Sequence, residues 1–467
     1  MAKLNIDILY FVFEELQDDK KTLYSCLLTN RTCCEIIIPI LWRNPWSQII
    51  LRKDKSLLNV ILSHLSYESK EKLKEQGIKL SRISYQKPLF DYISFCKHLN
   101  LKEIFSIVDS VYSVVKPVSL IKKEILILFY NRKIKFTHLY ISHYLHIHHI
   151  PQARQLFSGL EFLNCSNTME RIDLIGLKEI CQSIQELDLN IEKPKNNIGI
   201  AKLIQSQKEL IKVNFNVTNK EGSCKILENS LVKHANTIQY FRTTKSPITK
   251  ILSSFVNLII LELTDRFNEK WNCLEDLSLP LLQKLRTTGV PIKVLTNLIK
   301  NTNGHLNEIS ICYVLQSKTA NRRIIRTIYQ NCPRLKYFCL PIRNDNISEL
   351  KNLLINCQHL NGLVVPISNE DDYFDWDEMF KILTKSSPIG LFKFKFYFYC
   401  NMTIELKSLK YFFDNWKERP PILLKIRKME GISINNLIKK YKAEGIVAKY
   451  NNDFYNWKRS YSTFEWI

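Results

Sequence analysis

Half of the ten histidines in this sequence lie within twelve residues, and imidazole is the side chain whose charge changes nearest to neutral pH. Imidazole nitrogens also bind zinc, and Cys165 follows not far along the chain. The spacing matches no common zinc-finger pattern, and no cysteine lies inside the cluster. We therefore predict a solvated loop after a strand at 136–141, with no metal site and no cofactor. The five histidines are His138, His143, His146, His148 and His149.

Two charged clusters could also bind a ligand. The acidic run Glu370-Asp371-Asp372 could recruit a basic partner, and Arg322, Arg323 and Arg326 could bind a phosphate group through guanidinium hydrogen bonds. Each cluster also fits an exposed turn or helix start between repeating elements, where charged side chains are solvated. Neither alternative involves catalysis.

Local catalytic motifs are missing from the sequence. It contains no phosphate-binding P-loop, dinucleotide-binding glycine motif, zinc-protease motif or serine-hydrolase motif. The chain has only 11 glycines, so glycine-rich phosphate loops have little material to draw on. We predict a binding protein and not an enzyme.

The strongest pattern is a set of three short apolar helical segments between Leu4 and Trp46. Ile8, Val12 and Leu16 recur at the spacing of one helix face. An aspartate or Thr22 can cap the second segment, and Pro39 is expected to end the third. About forty residues cannot bury so much apolar surface by themselves, and exposed apolar surface of this kind marks protein–protein sites.

This segment resembles an F-box, the helical motif that docks onto a Skp-type adaptor in Skp–cullin–F-box ubiquitin ligases. Asp7 followed by Ile8-Leu9, the run Cys26 to Arg31 and the pair Leu41-Trp42 carry the likeness. The resemblance implies the substrate-recognition subunit of such a ligase, with the adaptor and a cullin scaffold as partners. The alternative is an ordinary amphipathic helix cluster packed on the rest of the chain. The resemblance assigns adaptor binding to Leu4, Ile8, Leu9, Val12, Phe13, Leu16, Leu23, Leu28, Leu41 and Trp42.

From residue 136 onward, apolar triplets with the spacing L-x-x-L-x-L recur at intervals of 20 to 29 residues. These intervals are centred on the length of a leucine-rich repeat, and each triplet tends to follow a helical stretch. The chain resembles the cysteine-bearing leucine-rich repeats often found behind F-boxes. The triplets begin at Phe136, Leu160, Ile184, Leu210, Ile238, Leu258, Leu282, Leu306, Leu335, Leu360 and Ile389.

One unit illustrates the repeat. Ile324, Ile325 and Ile328 form a helical face, the segment 331–333 stops the helix, and the triplet from Leu335 follows as a strand. Neither the strand nor the helix face can be buried alone, so stacking of units is the available solution. We predict an α/β fold: an N-terminal three-helix F-box, then an irregular leucine-rich-repeat solenoid with parallel strands on its concave face and helices on its convex face. An ordinary α/β domain with coincidental spacing is the alternative.

The predicted domains are an F-box at 1–48, a helical linker at 49–130, the repeats at 131–430 and a helical cap at 431–467. In each strand the third and fifth positions of the triplet point away from the core. A protein target bound to the sheet should contact these positions. We therefore nominate as substrate-binding residues Glu186, Asp188, Lys212, Asn214, Tyr240, Arg242, Glu262, Lys284, Arg286, Glu308 and Tyr337.

The formal charge of +22 resembles that of a nucleic-acid-binding protein. The excess is spread along the chain, and lysine outnumbers arginine, the better residue for bidentate phosphate and guanine contacts. We expect only non-specific attraction to nucleic acid, although a basic nucleic-acid-associated protein stays an alternative, as does a repeat scaffold with no ligase role. The thirteen cysteines form no C-x-x-C pair, and no stretch has the length of a membrane span. Reduced thiols in the cytosol or nucleus are the expectation.

Overall fold

The computed structural model describes residues 5–48, 55–113, 118–141, 150–192, 196–221, 224–312, 318–367, 374–398, 404–426, 432–452 and 464. The chain divides into two compact units, Met1–Leu210 and Ile211–Ile467. In both units, strands alternate with helices along the chain.

The first unit begins with three helices, α1 (Ile6–Glu15), α2 (Lys20–Leu27) and α3 (Arg31–Trp42). Each begins at a side-chain cap, and the caps of α2 and α3 are Asp19 and Asn30, whose oxygens accept hydrogen bonds from backbone N–H groups three residues later. The expectation that Pro39 ends the third helix is wrong, because α3 continues to Trp42. Proline removes one backbone donor, and this loss is tolerable when only one more turn follows.

The rest of the first unit contains four short strands and seven helices within the described residues. The strands pair in parallel and in sequence order, with His98, His138, Phe162 and Glu186 in register. The strands are β1 (His98–Asn100), β2 (His138–Tyr140), β3 (Phe162–Ser166) and β4 (Glu186–Ile191). The helices are α4 (Lys55–Ser63), α5 (Tyr67–Glu75), α6 (Leu101–Val111), α7 (Val118–Tyr130), α8 (Ala153–Phe157), α9 (Arg171–Ile180) and α10 (Asn197–Ser206).

The second unit repeats the arrangement with ten described strands, again parallel and in sequence order. The strands are β5 (Lys212–Val217), β6 (Tyr240–Thr243), β7 (Ile260–Thr264), β8 (Lys284–Thr288), β9 (Glu308–Cys312), β10 (Tyr337–Cys339), β11 (Gly362–Ile367), β12 (Lys393–Phe398), β13 (Ile422–Ile426) and β14 (Val447–Asn451). The helices are α11 (Lys225–Ser230), α12 (Ile251–Ser254), α13 (Ile292–Lys300), α14 (Lys318–Asn331), α15 (Ile347–Asn356), α16 (Trp376–Ser386), α17 (Leu406–Asp414) and α18 (Ile432–Ala443).

The apolar triplets predicted from the sequence locate the strands of the structure. Ten of the eleven predicted triplets begin two residues before a strand, so that the first, fourth and sixth positions face inward. Leu258, Leu261 and Leu263 are all buried in this way. The helix face at Ile324, Ile325 and Ile328 is buried as well, within α14 and directly before β10. The prediction of an α/β fold built from repeated helix–strand units is confirmed, and the parallel strand order is consistent with a leucine-rich-repeat solenoid.

The eleventh triplet is displaced by two residues. Ile389 is 79% exposed, and the buried triplet is Leu391, Phe394 and Phe396. An alternating phenylalanine run at 392, 394 and 396 fits the spacing in two registers, and packing against α16 selects the later one. There Phe380 lies 5.8 Å from Phe396, between ring centroids.

Described strands continue beyond the predicted repeat range on both sides. β1 lies in the segment predicted as a helical linker, where Cys96, Leu99 and Leu101 are buried at triplet spacing. β14 lies in the segment predicted as a helical cap. The first strand escaped prediction because a cysteine occupies the first position of its triplet.

Candidate protein-interaction surfaces

The three N-terminal helices have a core of their own. Its buried members include Phe13 and Leu23, which the sequence had assigned to a partner. Leu9, Leu16 and Leu41 are half-buried and pack against that core. These five side chains therefore hold the helices together. The other buried members are Cys33, Ile36, Ile37 and Ile40.

Other apolar side chains of the same helices are exposed. Ile8 is 50% exposed, Val12 is 47% exposed, and Leu28, directly after α2, is 84% exposed. Phe11 is also exposed, at 69%. It was not among the predicted residues, because the sequence pattern assigned a single apolar stripe to α1. At 100° per residue, Ile8, Phe11 and Val12 lie on one side of α1. We call these four residues the exposed apolar face. The predicted contact at Leu4 lies outside the described residues.

A groove of about 270 Å3 lies beside these helices, and the predicted residues Leu41 and Trp42 line it together with Tyr24 and Leu27. The Trp42 ring packs on Tyr92 with 4.7 Å between ring centroids. Trp42 is therefore half-buried against its own chain, with its remaining surface in the groove.

Hydrogen bonds fasten the N-terminal helices to the first strand. The Arg43 carbonyl accepts from the backbone N–H groups of Lys97 and His98, at 2.9 and 3.2 Å. The Trp46 indole N–H donates to the His98 carbonyl at 2.7 Å. The Arg43 guanidinium also forms two hydrogen bonds with Glu14 of α1, at 3.1 and 2.5 Å, and these lower the pKa of Glu14. Partner contacts on these helices would thus be held in a fixed position relative to β1.

In the second unit, several nominated substrate-binding residues bind one another. Arg286 donates to Glu308 at 2.6 Å on one side and to Glu262 at 2.8 Å on the other. Lys284 lies 3.7 Å from Glu308, and Arg242 lies 3.8 Å from Glu262. Burial opposes the charge of Arg286, but the hydrogen bonds and charges of the two glutamates outweigh it and raise its pKa. We call this group the charge ladder of β6–β9.

The charge ladder restricts what a target could contact. Glu308 is buried, whereas Tyr240, Glu262, Lys284 and Arg286 are half-buried. Burial and then the Glu262 charge raise the pKa of Tyr240, so its phenol stays protonated at neutral pH. A ligand here would meet paired charges of both signs. Of the remaining nominated residues in the second unit, Lys212 and Arg242 are exposed, and Asn214 and Tyr337 are half-buried.

Aromatic rings cover the outward positions of the first unit's strands. The ring centroids of His98 and His138 are 3.8 Å apart in a stack, and His138 stacks in turn on Phe162 at 5.3 Å. Burial and then the neighbouring His138 lower the pKa of His98 to about 3. The nominated Glu186 and Asp188 follow on β4, both half-buried. His98 was not predicted because its triplet begins with a cysteine, and Phe162 was not nominated although it occupies the outward third position of the triplet from Leu160.

Two of the three predicted phosphate-binding arginines have partners within the chain. Arg322 donates to the Asp345 carbonyl at 2.7 Å, and Arg326 donates to the Glu349 carboxylate at 2.6 Å, which ties α14 to the next repeat. Asp375, which follows the acidic run 370–372 in the sequence, caps α16 by accepting from the Glu378 backbone N–H at 2.9 Å. The acidic run 370–372 and four of the five clustered histidines lie outside the described residues.

Among the residues that the structure describes, no group of three His, Cys, Asp or Glu side chains is arranged to hold a metal ion. Within the same ranges, none of the helices combines the length and apolarity that crossing a bilayer requires. Burial raises the pKa of the Cys96, Cys165 and Cys181 thiols to about 12. These thiols are therefore protonated side chains of the core.

No protein-family model and no curated protein matches the sequence. One similar solved structure is the leucine-rich repeat-containing protein LegL7 from Legionella pneumophila, at 13% sequence identity and a TM-score of 0.31. The match covers 64% of this chain and 81% of that chain. The assignment of the fold rests on this chain's own parallel strand order and buried triplets. Together these define a protein of repeated helix–strand units with a parallel sheet, an arrangement consistent with a leucine-rich-repeat solenoid.

Proposed function

We propose that this protein is the substrate-recognition subunit of a Skp–cullin–F-box E3 ubiquitin ligase. Its N-terminal helices dock onto a Skp-type adaptor, and the outward face of its strands binds a protein target. The observation that supports this proposal is the exposed apolar face, which is separate from the core that holds the same three helices together.

The energetics suit a protein partner. Burying one large apolar side chain stabilises a complex by about 1.5–3 kcal/mol. Three of the four side chains lie on one side of α1, and Leu28 and the groove at Leu41 and Trp42 add apolar surface on the following helices. An interface of the usual size, about 1,600 Å2, needs apolar surface of this kind at its centre. Since the helices are bonded to β1 through Trp46 and Arg43, an adaptor bound there would be held at a fixed distance from the strands of the first unit.

The mechanism is proximity and requires no catalytic residue in this chain. A target bound to the strand face brings its lysines near the ubiquitin-charged enzyme that the same assembly carries. The reaction between them becomes effectively intramolecular, which raises the local concentration of target lysines.

A second candidate is a leucine-rich-repeat interaction scaffold without a ligase role. The hydrogen bond that Trp46 donates to His98, and those that the Arg43 carbonyl accepts from Lys97 and His98, favour it. They let the N-terminal helices act as a cap on the edge of β1. In that case the exposed apolar face would bind a protein other than a Skp-type adaptor.

The discriminating experiment is adaptor binding by Val12→Asp, with Val232→Asp as a matched control. Val232 lies in the 3-10 turn Leu231–His234 and is 55% exposed, close to the value for Val12, so both changes introduce the same charge at an exposed valine. We expect wild type and Val232→Asp to capture a purified Skp-type adaptor, and Val12→Asp to lose capture by at least about tenfold, since the carboxylate would be buried in an apolar interface. If the wild-type chain is folded by circular dichroism and still fails to bind the adaptor, only the scaffold function is left.

A further inference from the structure

The outward face of β9–β12 differs from the charge ladder beside it. Cys312, Cys339, Val364 and Tyr397 are buried there, although all four occupy outward positions of their strands. Cys339 and Val364 are direct neighbours in the strand register. Outward residues of β6–β8 such as Arg242 and Glu262 keep part of their surface in solvent. The face of β9–β12 is therefore covered.

Within the described part of the chain, Phe464 lies over this face. Its side chain packs against the cluster of Cys312, Cys339, Val364 and Tyr397. Its ring also lies 5.4 Å from the ring of Tyr337, between centroids, at an interplanar angle of 31°. Lys393 places its ammonium 5.6 Å from the centroid of that same Tyr337 ring. We call the site formed by these side chains around Phe464 the aromatic pocket.

The chemistry of the pocket selects its ligand. Two thiols, a valine and two tyrosine rings offer a soft apolar surface with ring edges and faces, which suits an aromatic side chain. Lys395, the strand neighbour of Val364, is only 1% exposed. Burial raises the pKa of the Cys339 thiol, and the Lys395 ammonium opposes this, which places that charge beside the pocket.

Phe464 shows that an aromatic side chain fits this site. We propose that the aromatic pocket is a binding site for a partner-protein segment that carries an aromatic residue, and that Phe464 occupies the site and competes with that partner. The inference deepens the proposed function by naming the partner chemistry of the strand face, and it holds equally for the ligase and scaffold candidates.

Occupation from within the same chain has a measurable consequence. A tethered group competes at an effective concentration that reaches the millimolar range for short links. A partner segment added in solution must displace Phe464 and therefore binds more weakly than its contacts alone would allow. Removal of the Phe464 ring should raise the affinity for such a segment by at least about tenfold.

The test uses the full-length chain and a fluorescent synthetic peptide with the sequence of residues 460–467, SYSTFEWI. Fluorescence anisotropy would compare wild type with Phe464→Ala, and with Tyr67→Ala as the removal of an exposed aromatic ring in the other unit. We expect Phe464→Ala to bind at least about tenfold more tightly than wild type and Tyr67→Ala. A peptide with alanine in place of its Phe464 should bind none of them. Equal affinity for wild type and Phe464→Ala would overturn the proposal.

Thiol alkylation gives a second measurement that does not depend on the peptide. In Phe464→Ala, Cys312 and Cys339 should react with iodoacetamide faster than in wild type, by about tenfold or more, because their cover is gone. Cys332 and Cys357 are the controls, since they are buried on the inner side of the repeats and should stay protected in both chains. Unchanged alkylation of Cys312 and Cys339 would contradict the assignment of Phe464 as their cover.

The two proposals fail in different ways. Loss of adaptor capture with intact peptide binding would remove the ligase role and leave the aromatic pocket in place. Intact adaptor capture, with no difference between wild type and Phe464→Ala, would remove the pocket and leave the receptor function.

Discussion

At the scale of single residues, the charge ladder shows why outward position alone does not identify a binding residue. Glu262, Arg286 and Glu308 were nominated because their strand positions point away from the core. They lie on adjacent strands at matching register, so each meets its neighbours before it meets a ligand. Their hydrogen bonds stabilise the sheet face, and a target here would bind over paired charges.

This arrangement predicts that Arg286→Met is destabilising. The substitution keeps the length of the apolar stem but leaves the buried Glu308 carboxylate with the more distant Lys284 as its ion-pair partner. Breaking a buried pair from one side typically lowers the free energy of unfolding by about 3–5 kcal/mol. Because the Arg286 side chain keeps 19% of its surface in solvent, we expect a loss near the lower end of this range. Urea unfolding followed by circular dichroism would measure the loss.

The double variant Arg286→Met/Glu308→Gln is the control, because it also removes the Glu308 charge that the single variant leaves without Arg286. We expect it to recover at least half of the lost stability. A single variant as stable as wild type would mean that the ladder contributes only exposed ion pairs.

At the scale of elements, the first three helices show how one sequence pattern can carry two surfaces. α1 has apolar residues on two sides, and α3 covers the side that contains Phe13. The side that contains Phe11 is left exposed. Arg43 then joins the end of α3 to α1 through Glu14, so the orientation of the exposed apolar face depends on this ion pair.

Stability should therefore depend on pH through Glu14. The pKa of Glu14 is lowered in the folded state, so its contribution is present above its unfolded pKa, about 4.3, and is lost as the pH falls through the folded value. Arg43→Met removes that contribution, and we expect it to lower the free energy of unfolding by about 1 kcal/mol at pH 7. The difference from wild type should shrink toward zero in acid.

Arg31→Met is the matched control for this measurement. Arg31 pairs with Glu35 on the surface of α3, where both side chains are more than half exposed. Exposed pairs of this kind contribute a few tenths of a kcal/mol at most, so the control should resemble wild type at both pH values. A loss in Arg43→Met that is independent of pH would show that the pair does not act through the Glu14 charge.

At the scale of the whole molecule, the repeated helix–strand units account for the organisation of the chain, and the net charge does not. The helix–strand units follow one another in register through each compact unit. The net charge of +22 is distributed over both units, and some of the arginines serve as links between repeats, as Arg326 does with Glu349. We therefore keep the prediction that the charge gives only general, non-specific attraction to anions.

Duplex DNA binding tests this interpretation. We expect weak binding at low salt that falls steeply and is lost by about 200 mM salt, with equal affinity for unrelated sequences. Anisotropy titrations with two labelled duplexes of different sequence would measure both properties. A sequence preference of about a hundredfold that persists at the higher salt would favour the nucleic-acid alternative.

The sequence by itself determined the repeated elements. Triplet spacing, the change of period from helix to strand, and caps such as Asn30 depend on residues within one repeat, so they can be recognised without a three-dimensional structure. For this reason, ten of eleven triplets located their strands. The exception at Ile389 arose where a phenylalanine run allowed two registers.

Only the tertiary structure decided which outward surfaces are free for a partner. It buried Phe13 while exposing Phe11, paired Arg286 with glutamates from two other repeats, and placed Phe464 on strands far earlier in the chain. Each of these outcomes depends on contacts between residues that are distant in sequence, which periodicity within a repeat does not encode. The sequence pattern identifies the faces of each element, and packing between elements determines which face is covered.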